Sequence, residues 1–467
     1  SPTVEGEEDI ETILAELAAK EAAKTAVVVR EASQPSARAN FSMLRHNDEM
    51  VVFGGEYYDG AVNTCFNDVF WYHLEKGTWR EAVSPMSPIP RCSHQACVYL
   101  DHMYVFAGEL ATARQFYHHR DMWKLNLTTC QWTQVATKTG PSARSGHRML
   151  VWRHYIVLFG GFYESVRDHR WFGDLYLFDL RTDKWAKQEF PGTAMLPAAR
   201  SGHALVHVTG TDTVLLYGGY SEVKVPGQPP KGMVHTDMWA LHLEPVAAGK
   251  LPRWERVRQT GDKPSKRTGF AMTTYKDRVV LFGGVSDTDT KDELESRFHN
   301  DLYAFDYKRR RWLTLGLKDA KSDERRRRRT RKPATGAGAE ADPSRDAAAS
   351  SSDDEDGSEE EDNEGDAEPA VEAAEEPTLD IAAPPPPEAA VPPPAATGDE
   401  EAPPDLVPAT AEDGAAAGAG GVPRPEVAVP CGRMKPMCFI SGNLMYIYGG
   451  LVEVKSKEVT LDDLWCM

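Results

Sequence analysis

The hydrophobic pattern of this chain is one phrase written six times. Val51-Val52-Phe53-Gly54-Gly55 recurs as Val105-Phe106-Ala107-Gly108, Leu158-Phe159-Gly160-Gly161, Leu216-Tyr217-Gly218-Gly219, Leu281-Phe282-Gly283-Gly284 and Ile447-Tyr448-Gly449-Gly450. Each copy is a short apolar run stopped by two small residues. That pattern predicts a strand buried on both faces, ended where the backbone must turn tightly.

Three further markers keep step with the phrase. An Arg precedes each run (Arg38, Arg91, Arg144, Arg200, Arg267, Arg433), 16 residues ahead of the first small residue in every copy but the fourth, where the spacing is 18. An Asp opens the next strand (Asp68, Asp121, Asp174, Asp237, Asp301, Asp463), where its carboxylate is expected to bond free backbone N–H groups. A late Trp closes the first five units (Trp79, Trp132, Trp185, Trp254, Trp312), large enough to fill the wedge between neighbouring twisted sheets. Units of about 50 residues with four short strands, a to d, predict an all-β, six-bladed β-propeller.

The remaining segments fall around those blades. Residues 1–24 carry Ile10, Ile13, Leu14 and Leu17 on one helical stripe, so a short N-terminal helix is expected, docked on the main domain or offered to a partner. Residues 25–34 are rich in β-branched side chains and read as a strand. Blades one to five occupy residues 35–318, a basic-then-acidic Ala/Pro-rich insertion 319–429, and blade six 430–467. Blade six is incomplete, since it stops at Asp463-Leu464-Trp465-Cys466-Met467 without a d strand or late Trp. Two closures are open: Val27–Val29 stands in as the missing strand, or a further C-terminal segment supplies it.

Several of these residues resemble kelch repeats: Arg-Ser-Gly-His at 144–147 and 200–203, Phe-Gly-Gly, Asp-Leu-Tyr at 174–176 and 301–303, and the late Trp. The arrangement as a whole resembles the kelch domain-containing protein 4 family. The shared features are the acidic N-terminal helix, Phe-Gly-Gly-Glu-Tyr at 53–57, Gln-Phe-Tyr-His at 115–118 and a charged insertion before the last blade. The resemblance covers roughly residues 5–320 and 430–467 and implies a kelch propeller. Kelch adaptors of cullin ubiquitin ligases carry a BTB module ahead of the propeller, and its absence from this sequence argues against that role.

Composition changes the picture in one place. The formal charge of −18 comes from residues 319–430, which hold 29 acidic and 10 basic side chains, leaving the rest near +1. With hardly any aromatic or β-branched residues, that segment cannot offset its ordering entropy and is expected to be disordered. The nearly neutral propeller is not expected to bind nucleic acid broadly. Seven cysteines at irregular spacing, with no CxxC pair, suggest a reducing compartment and neither a disulfide framework nor a zinc site. There is no apolar run of about 18 residues and no signal-peptide core, so an intracellular location in cytoplasm or nucleus is expected, with no membrane partner. Two sequons, at Asn40 and Asn126, are read as chance matches.

Antiparallel strands put the long b–c segments and the d–a connections at one end of the propeller, so recognition is expected there. The candidate partner-binding residues are Tyr57, Tyr58, Phe116, Tyr117, Arg120, Tyr163, Arg167, Arg170 and Trp171, with Phe172 beside them. They differ from blade to blade and include the types enriched at interface hot spots. The repeated Arg residues invite an anion-gripping ring, but a residue needed in every blade is better explained by an internal ion pair. His94, His147 and His203 share one repeat position that Phe41 and Phe270 fill elsewhere, which favours core packing over metal binding. His118 and His119 are adjacent, so on a strand they point to opposite faces and make a poor ligand pair.

The insertion carries its own candidates. Arg325, Arg326, Arg327, Arg328, Arg329, Arg331 and Lys332 read as a nuclear localisation signal or a solvated charge block. Ser350, Ser351, Ser352 and Ser358 each precede an acidic residue by three positions, as acidophilic kinase sites do. The acidic tract would suit a basic partner. The expected function is therefore a non-enzymatic protein-interaction scaffold with no cofactor and no metal. The alternatives are a metal-dependent enzyme, since some kelch propellers are copper oxidases or iron-dependent specifier proteins, and a nucleic-acid-associated factor acting through the insertion.

Overall fold

Polar turns between the apolar runs fold each repeat back on itself, and the chain forms six blade sheets in succession, antiparallel except for the short Thr260–Gly261 strand that pairs parallel at the edge of blade five. In this computed structural model the described residues are 26–112, 116–166, 168–223, 227, 230–289, 294–316, 429–455 and 457–467. The expected N-terminal helix, the insertion with its Arg run and serines, and Arg167 lie outside them. Blade one orders strands a (Ser42–His46), b (Glu49–Tyr58), c (Asn63–His73) and d (Trp79–Val83). Blades two to five repeat that order from a strands Gln95–Tyr99, Arg148–Trp152, Ala204–His207 and Ala271–Tyr275. Blade six comprises Met437–Ser441, Leu444–Val454 and Lys457–Cys466. Neighbouring a strands touch, and the sixth touches the first, so the protein is an all-β, six-bladed β-propeller around a central cavity. Among the described residues no helix is long and apolar enough to cross a membrane.

The core is divided among the wedges. Six separate apolar clusters lie between consecutive blades, as close packing of twisted sheets requires. Each late Trp reaches the aromatic residue of the preceding blade's phrase, as the sequence predicts. Ring centroids are 5.0 Å apart for Phe53 and Trp132, 5.1 Å for Phe106 and Trp185, 5.3 Å for Phe159 and Trp254, and 5.2 Å for Tyr217 and Trp312. Trp79 meets Tyr448 of blade six at 6.0 Å, which extends the rule across the seam. The wedge between blades five and six receives no such Trp and has the smallest buried cluster, Val280, Phe282, Met445 and Ile447.

Two expectations need correcting. The Gly pair ends strand b in only three of the six blades, two, four and five. In blades one, three and six the strand runs through it, with a register shift between Phe53 and Gly55, Phe159 and Gly161, and Tyr448 and Gly450. In blades two, four and five a separate two-stranded ribbon follows. In blades one, three and six the pair is a bulge that bends a continuous strand, and in the other three it separates strand b from the ribbon. Gly54 and Gly55 have φ of 64° and 101°, and a Cβ on them would lie 2.8 Å from the Arg91 carbonyl oxygen and 2.7 Å from Phe41 Cβ. The b–c segments taken as loops are therefore largely β-hairpins that project from the propeller.

The closing strand is also placed differently. Val28–Ala32 is an edge strand, but it pairs antiparallel with Trp79–Val83, outside strand d of blade one, and does not complete blade six. Blade six meets blade one through the residues that follow. Tyr448 Oη donates to the Pro35 carbonyl at 3.0 Å, the Gln34 amide donates to the Asp462 carbonyl, and Arg38 N–H donates to the Leu461 carbonyl at 3.2 Å.

Candidate functional site

The six Arg residues come first, because they settle what the strongest sequence marker does. Each is buried, and each forms a two-pronged ion pair with the Asp of its own blade. The shorter contacts are 2.7 Å for Arg38 and Asp68, 2.8 Å for Arg91 and Asp121, 2.6 Å for Arg144 and Asp174, and 2.6 Å for Arg200 and Asp237. Arg267 and Asp301, and Arg433 and Asp463, meet at 2.5 Å. The same guanidinium donates to the carbonyl of the first small residue of the phrase, Gly54 at 3.0 Å in blade one. The Asp residues thus serve the Arg side chains and not, as expected, free N–H groups at strand entry. Three also accept from a Trp Nε1, those of Trp123, Trp239 and Trp465. Burial pushes the Asp121, Asp237 and Asp463 carboxyls up, but the Arg hydrogen bonds and charge outweigh it and hold them below the usual range. The ring of cations is satisfied internally, so it grips no ligand.

The histidines at the shared position are core residues too. His94, His147 and His203 are buried and pack edge-on against Phe53, Phe106 and Phe159 of the preceding blade. Burial and the nearby Arg91 charge pull His94 down to about 3. Burial likewise holds His147 and His203 well below the ordinary imidazole value. All three are neutral packing groups.

The predicted recognition residues divide into an exposed set and a supporting set. Tyr57, Tyr58, Tyr117 and Arg170 are exposed on the projecting hairpins, and Arg120 is exposed just after the hairpin of blade two. Tyr163 and Trp171 are half-buried. Trp171 packs on Phe162 and Tyr220 and donates from Nε1 to Ser201 Oγ at 3.2 Å. Phe172 lies under the Arg144 guanidinium, 4.0 Å from centroid to Cζ, as a structural support. Phe116 is placed on the Phe116–His118 strand. His118 and His119 do diverge: His118 Nε2 accepts from the Glu164 N–H at 3.0 Å, while His119 lies near Arg91 and Asp121.

At the centre of that end the structure shows a feature the sequence concealed. The second residue after each Arg has positive φ: Asn40 53°, Ser93 52°, Gly146 60°, Gly202 62°, Gly269 65° and Lys435 54°. These six form a collar at the cavity mouth, partly linked blade to blade by N–H to carbonyl bonds such as Ser93 to Asn40 and Gly146 to Ser93, both 2.9 Å. Blades three to five use glycine. Blades six, one and two instead place Lys435, Asn40 and Ser93 side chains on one side, at a conformational cost typical of functional sites. Beneath them lies a cavity of about 550 Å³ that includes Glu56, Glu109, Gln95 and Arg148 in its wall. Arg148 Nη1 donates to the His147 carbonyl at 3.0 Å, and burial lowers its guanidinium to about 10.

Two acidic clusters sit at that mouth. Glu109 is pushed up by burial, and Ser145 and Ser93 donate to it. His118 Nδ1 is 3.6 Å from Glu109 Oε2. Hydroxyl and imidazole both face the carboxylate, and His118 Nε2 is already occupied, so this is no Ser–His–carboxylate relay. In the neighbouring cluster, donor atoms of Glu56, Cys65 and Cys92 lie within 4.8 Å of one another. Sequence spacing gave no ligand set, because Cys65 and Cys92 come from different blades. Alternation along the strands could have placed Cys65 opposite Glu56, but only the ring brings Cys92 beside them.

With that geometry in hand, comparison with known proteins is decisive for the family. The profile of the KLHDC2/KLHL20/DRC7 Kelch-repeats domain matches residues 12–161 and 164–331. The chain belongs to this kelch-repeat family. Among curated relatives, the kelch chain is 26% identical over 284 residues to Kelch domain-containing protein 3 of Homo sapiens, covering 58% of this chain and 68% of that one. It is 28% identical over 283 residues to the Leucine-zipper-like transcriptional regulator 1 homolog of Drosophila melanogaster, over 58% of this chain and 26% of that one. The solved structure of YjhT superposes with a TM-score of 0.52 at 12% identity, covering 93% of this chain and 96% of that one, a likeness of fold alone. A kelch propeller is consistent with a protein-interaction scaffold.

Proposed function

We propose that this kelch propeller is a non-enzymatic scaffold that docks a protein partner on the end carrying the b–c hairpins. The observation that carries the reading is the distribution of side chains there. Tyr57, Tyr58, Tyr117 and Arg170 are exposed on the hairpins and Arg120 beside one of them, whereas the repeated Arg and His residues are consumed internally. Exposed Tyr and Arg on a stiff platform lose little entropy on binding and are the usual anchors of interfaces. Phe116, Tyr163, Arg167 and Trp171 belong to the same proposed surface, the half-buried ones as supports.

The motifs Phe-Gly-Gly-Glu-Tyr at 53–57 and Gln-Phe-Tyr-His at 115–118 favour the kelch domain-containing protein 4 branch of the family. We extend the reading to the insertion: Arg325 to Lys332 as a nuclear address, Ser350, Ser351, Ser352 and Ser358 as phosphorylation sites, and the acidic tract as a dock for a basic partner. The reading places the protein in the cytoplasm, the nucleus or both.

Affinity purification of the full chain and of a Tyr117→Ala/Arg120→Ala/Arg170→Ala variant tests the docking face. The expected result is loss of specific partners from the variant at unchanged melting temperature. An unchanged partner list would place the interface elsewhere.

A further inference from the structure

We infer that Glu56, Cys65 and Cys92 form a binding site for a zinc-type divalent cation at the seam between blades one and two. Their donor atoms lie mutually within 4.8 Å. Tetrahedral zinc with two sulfur and one oxygen ligand needs separations of about 3.5–3.8 Å, so shifts of about 1 Å or less bring the set to that geometry. Cys92 Sγ is already 3.3 Å from Glu56 Oε2.

The three residues are held by the backbone and not by chance side-chain proximity. Glu56 and Cys65 are directly opposite in the b–c pairing of blade one, so their side chains share a face. Gly55 N–H donates to the Arg91 carbonyl at 2.9 Å, and Arg91 N–H donates to the Phe66 carbonyl at 3.0 Å. Each residue in those two bonds is the chain neighbour of one ligand. The carboxylate is oriented as well: Asn40 Nδ2 donates to one oxygen at 2.5 Å and Asn63 Nδ2 to the other at 2.7 Å. The Asn63 side-chain oxygen Oδ1 is buried without a hydrogen-bond partner, and it suits a water on the ion's fourth position.

The repeat supplies the control. At the three equivalent positions blade five and its neighbour hold Val285, Phe298 and Met434, and blade six and its neighbour hold Leu451, Thr460 and Ala39. Blade two and its neighbour hold Glu109, His118 and Ser145. The propeller therefore does not need polar side chains at these positions, the Glu is shared with blade two, and the two cysteines are the departure that calls for its own cause. Glu56 lines the cavity mouth, which gives an ion a route in. Thiolates with one carboxylate suit zinc-like cations over magnesium or calcium, and binding releases one proton from each thiol.

The test uses the full chain, reduced and handled without oxygen, with zinc and cobalt(II) as the ions. One equivalent of zinc is expected to survive gel filtration, and cobalt(II) is expected to give thiolate-to-metal charge-transfer bands with tetrahedral ligand-field absorption. Cys65→Ser and Glu56→Gln are each expected to weaken zinc binding at least tenfold, and Cys466→Ser to leave it unchanged. Equal zinc binding by the wild type and the Cys65→Ser/Cys92→Ser variant overturns the proposal, as does a cobalt spectrum without sulfur charge transfer. The wild-type cobalt spectrum requires no variant, so misfolding of a Cys92 substitution leaves the test intact. The outcome is independent of partner docking.

Discussion

The backbone N–H of Gly450 donates to the carbonyl oxygen of Arg38 at 3.2 Å, joining blade six to blade one. Gly55 makes the same bond to Arg91, Gly108 to Arg144, Gly161 to Arg200 and Gly284 to Arg433. The seam of the ring is therefore a further copy of an interblade rule, and it lies at residues 34–38 rather than in the outer strand Val28–Ala32.

This separation gives a truncation experiment. Val28 and Val29 are about half exposed, at 57% and 49%. Removing residues 1–33 deletes five cross-strand pairs at a cost of about 1–3 kcal/mol. Removing residues 1–36 also takes away the Gln34 and Pro35 contacts with blade six, and the melting temperature should fall considerably further. Equal losses would put the closure in the outer strand after all. Tyr448→Phe, which leaves the Pro35 carbonyl without its donor, should cost about 1–3 kcal/mol by urea unfolding.

Each Arg and Asp pair should behave as a unit. Arg91 is fully buried, so Asp121→Ala leaves a charge without its counter-ion and should destabilise by about 3–5 kcal/mol. Arg91→Met should be similarly costly, whereas Arg91→Met with Asp121→Leu should cost clearly less than the sum. Additive losses in a double-mutant cycle would contradict the pairing.

His94 predicts a pH dependence. Its folded value of about 3 lies below the unfolded value of about 6.5, so below pH 6.5 the unfolded chain binds a proton that the folded chain refuses. Stability contributed at neutral pH is lost as pH falls through that window, by about 2 kcal/mol at pH 5 for this one group. Phe occupies the same repeat position at 41 and 270, so His94→Phe should fold and lack this term. Urea unfolding at pH 7.5 and pH 5 checks it: the variant should gain about 2 kcal/mol on the wild type between the two. A pH-independent difference would mean that the fold does not shift His94 from its unfolded value, so that its ring takes up a proton at pH 5 as the unfolded chain does.

The blades were legible in the sequence because each marker answers a need that recurs in every repeat. Trp fills a wedge, Arg needs an internal carboxylate, and the apolar run needs two covered faces, although the repeated Asp was not legible as that carboxylate. Relationships made once were not legible. The pairing of Val28–Ala32 with blade one depends on which edge is open, and local β propensity carries no such information. The Gly pair read as a stop because a bulge and a turn make the same demand for positive φ. The Glu56, Cys65 and Cys92 cluster was hidden because two of its members meet only when blade two docks on blade one.

The collar at the cavity mouth has a geometric consequence. Six identical blades would present an approaching molecule with six equivalent rotational settings, differing by one blade and indistinguishable in energy. Lys435, Asn40 and Ser93 stand together on one arc, and Gly146, Gly202 and Gly269 leave the other arc bare. That asymmetry removes the degeneracy, so anything seated along the axis meets one azimuth that differs from the other five.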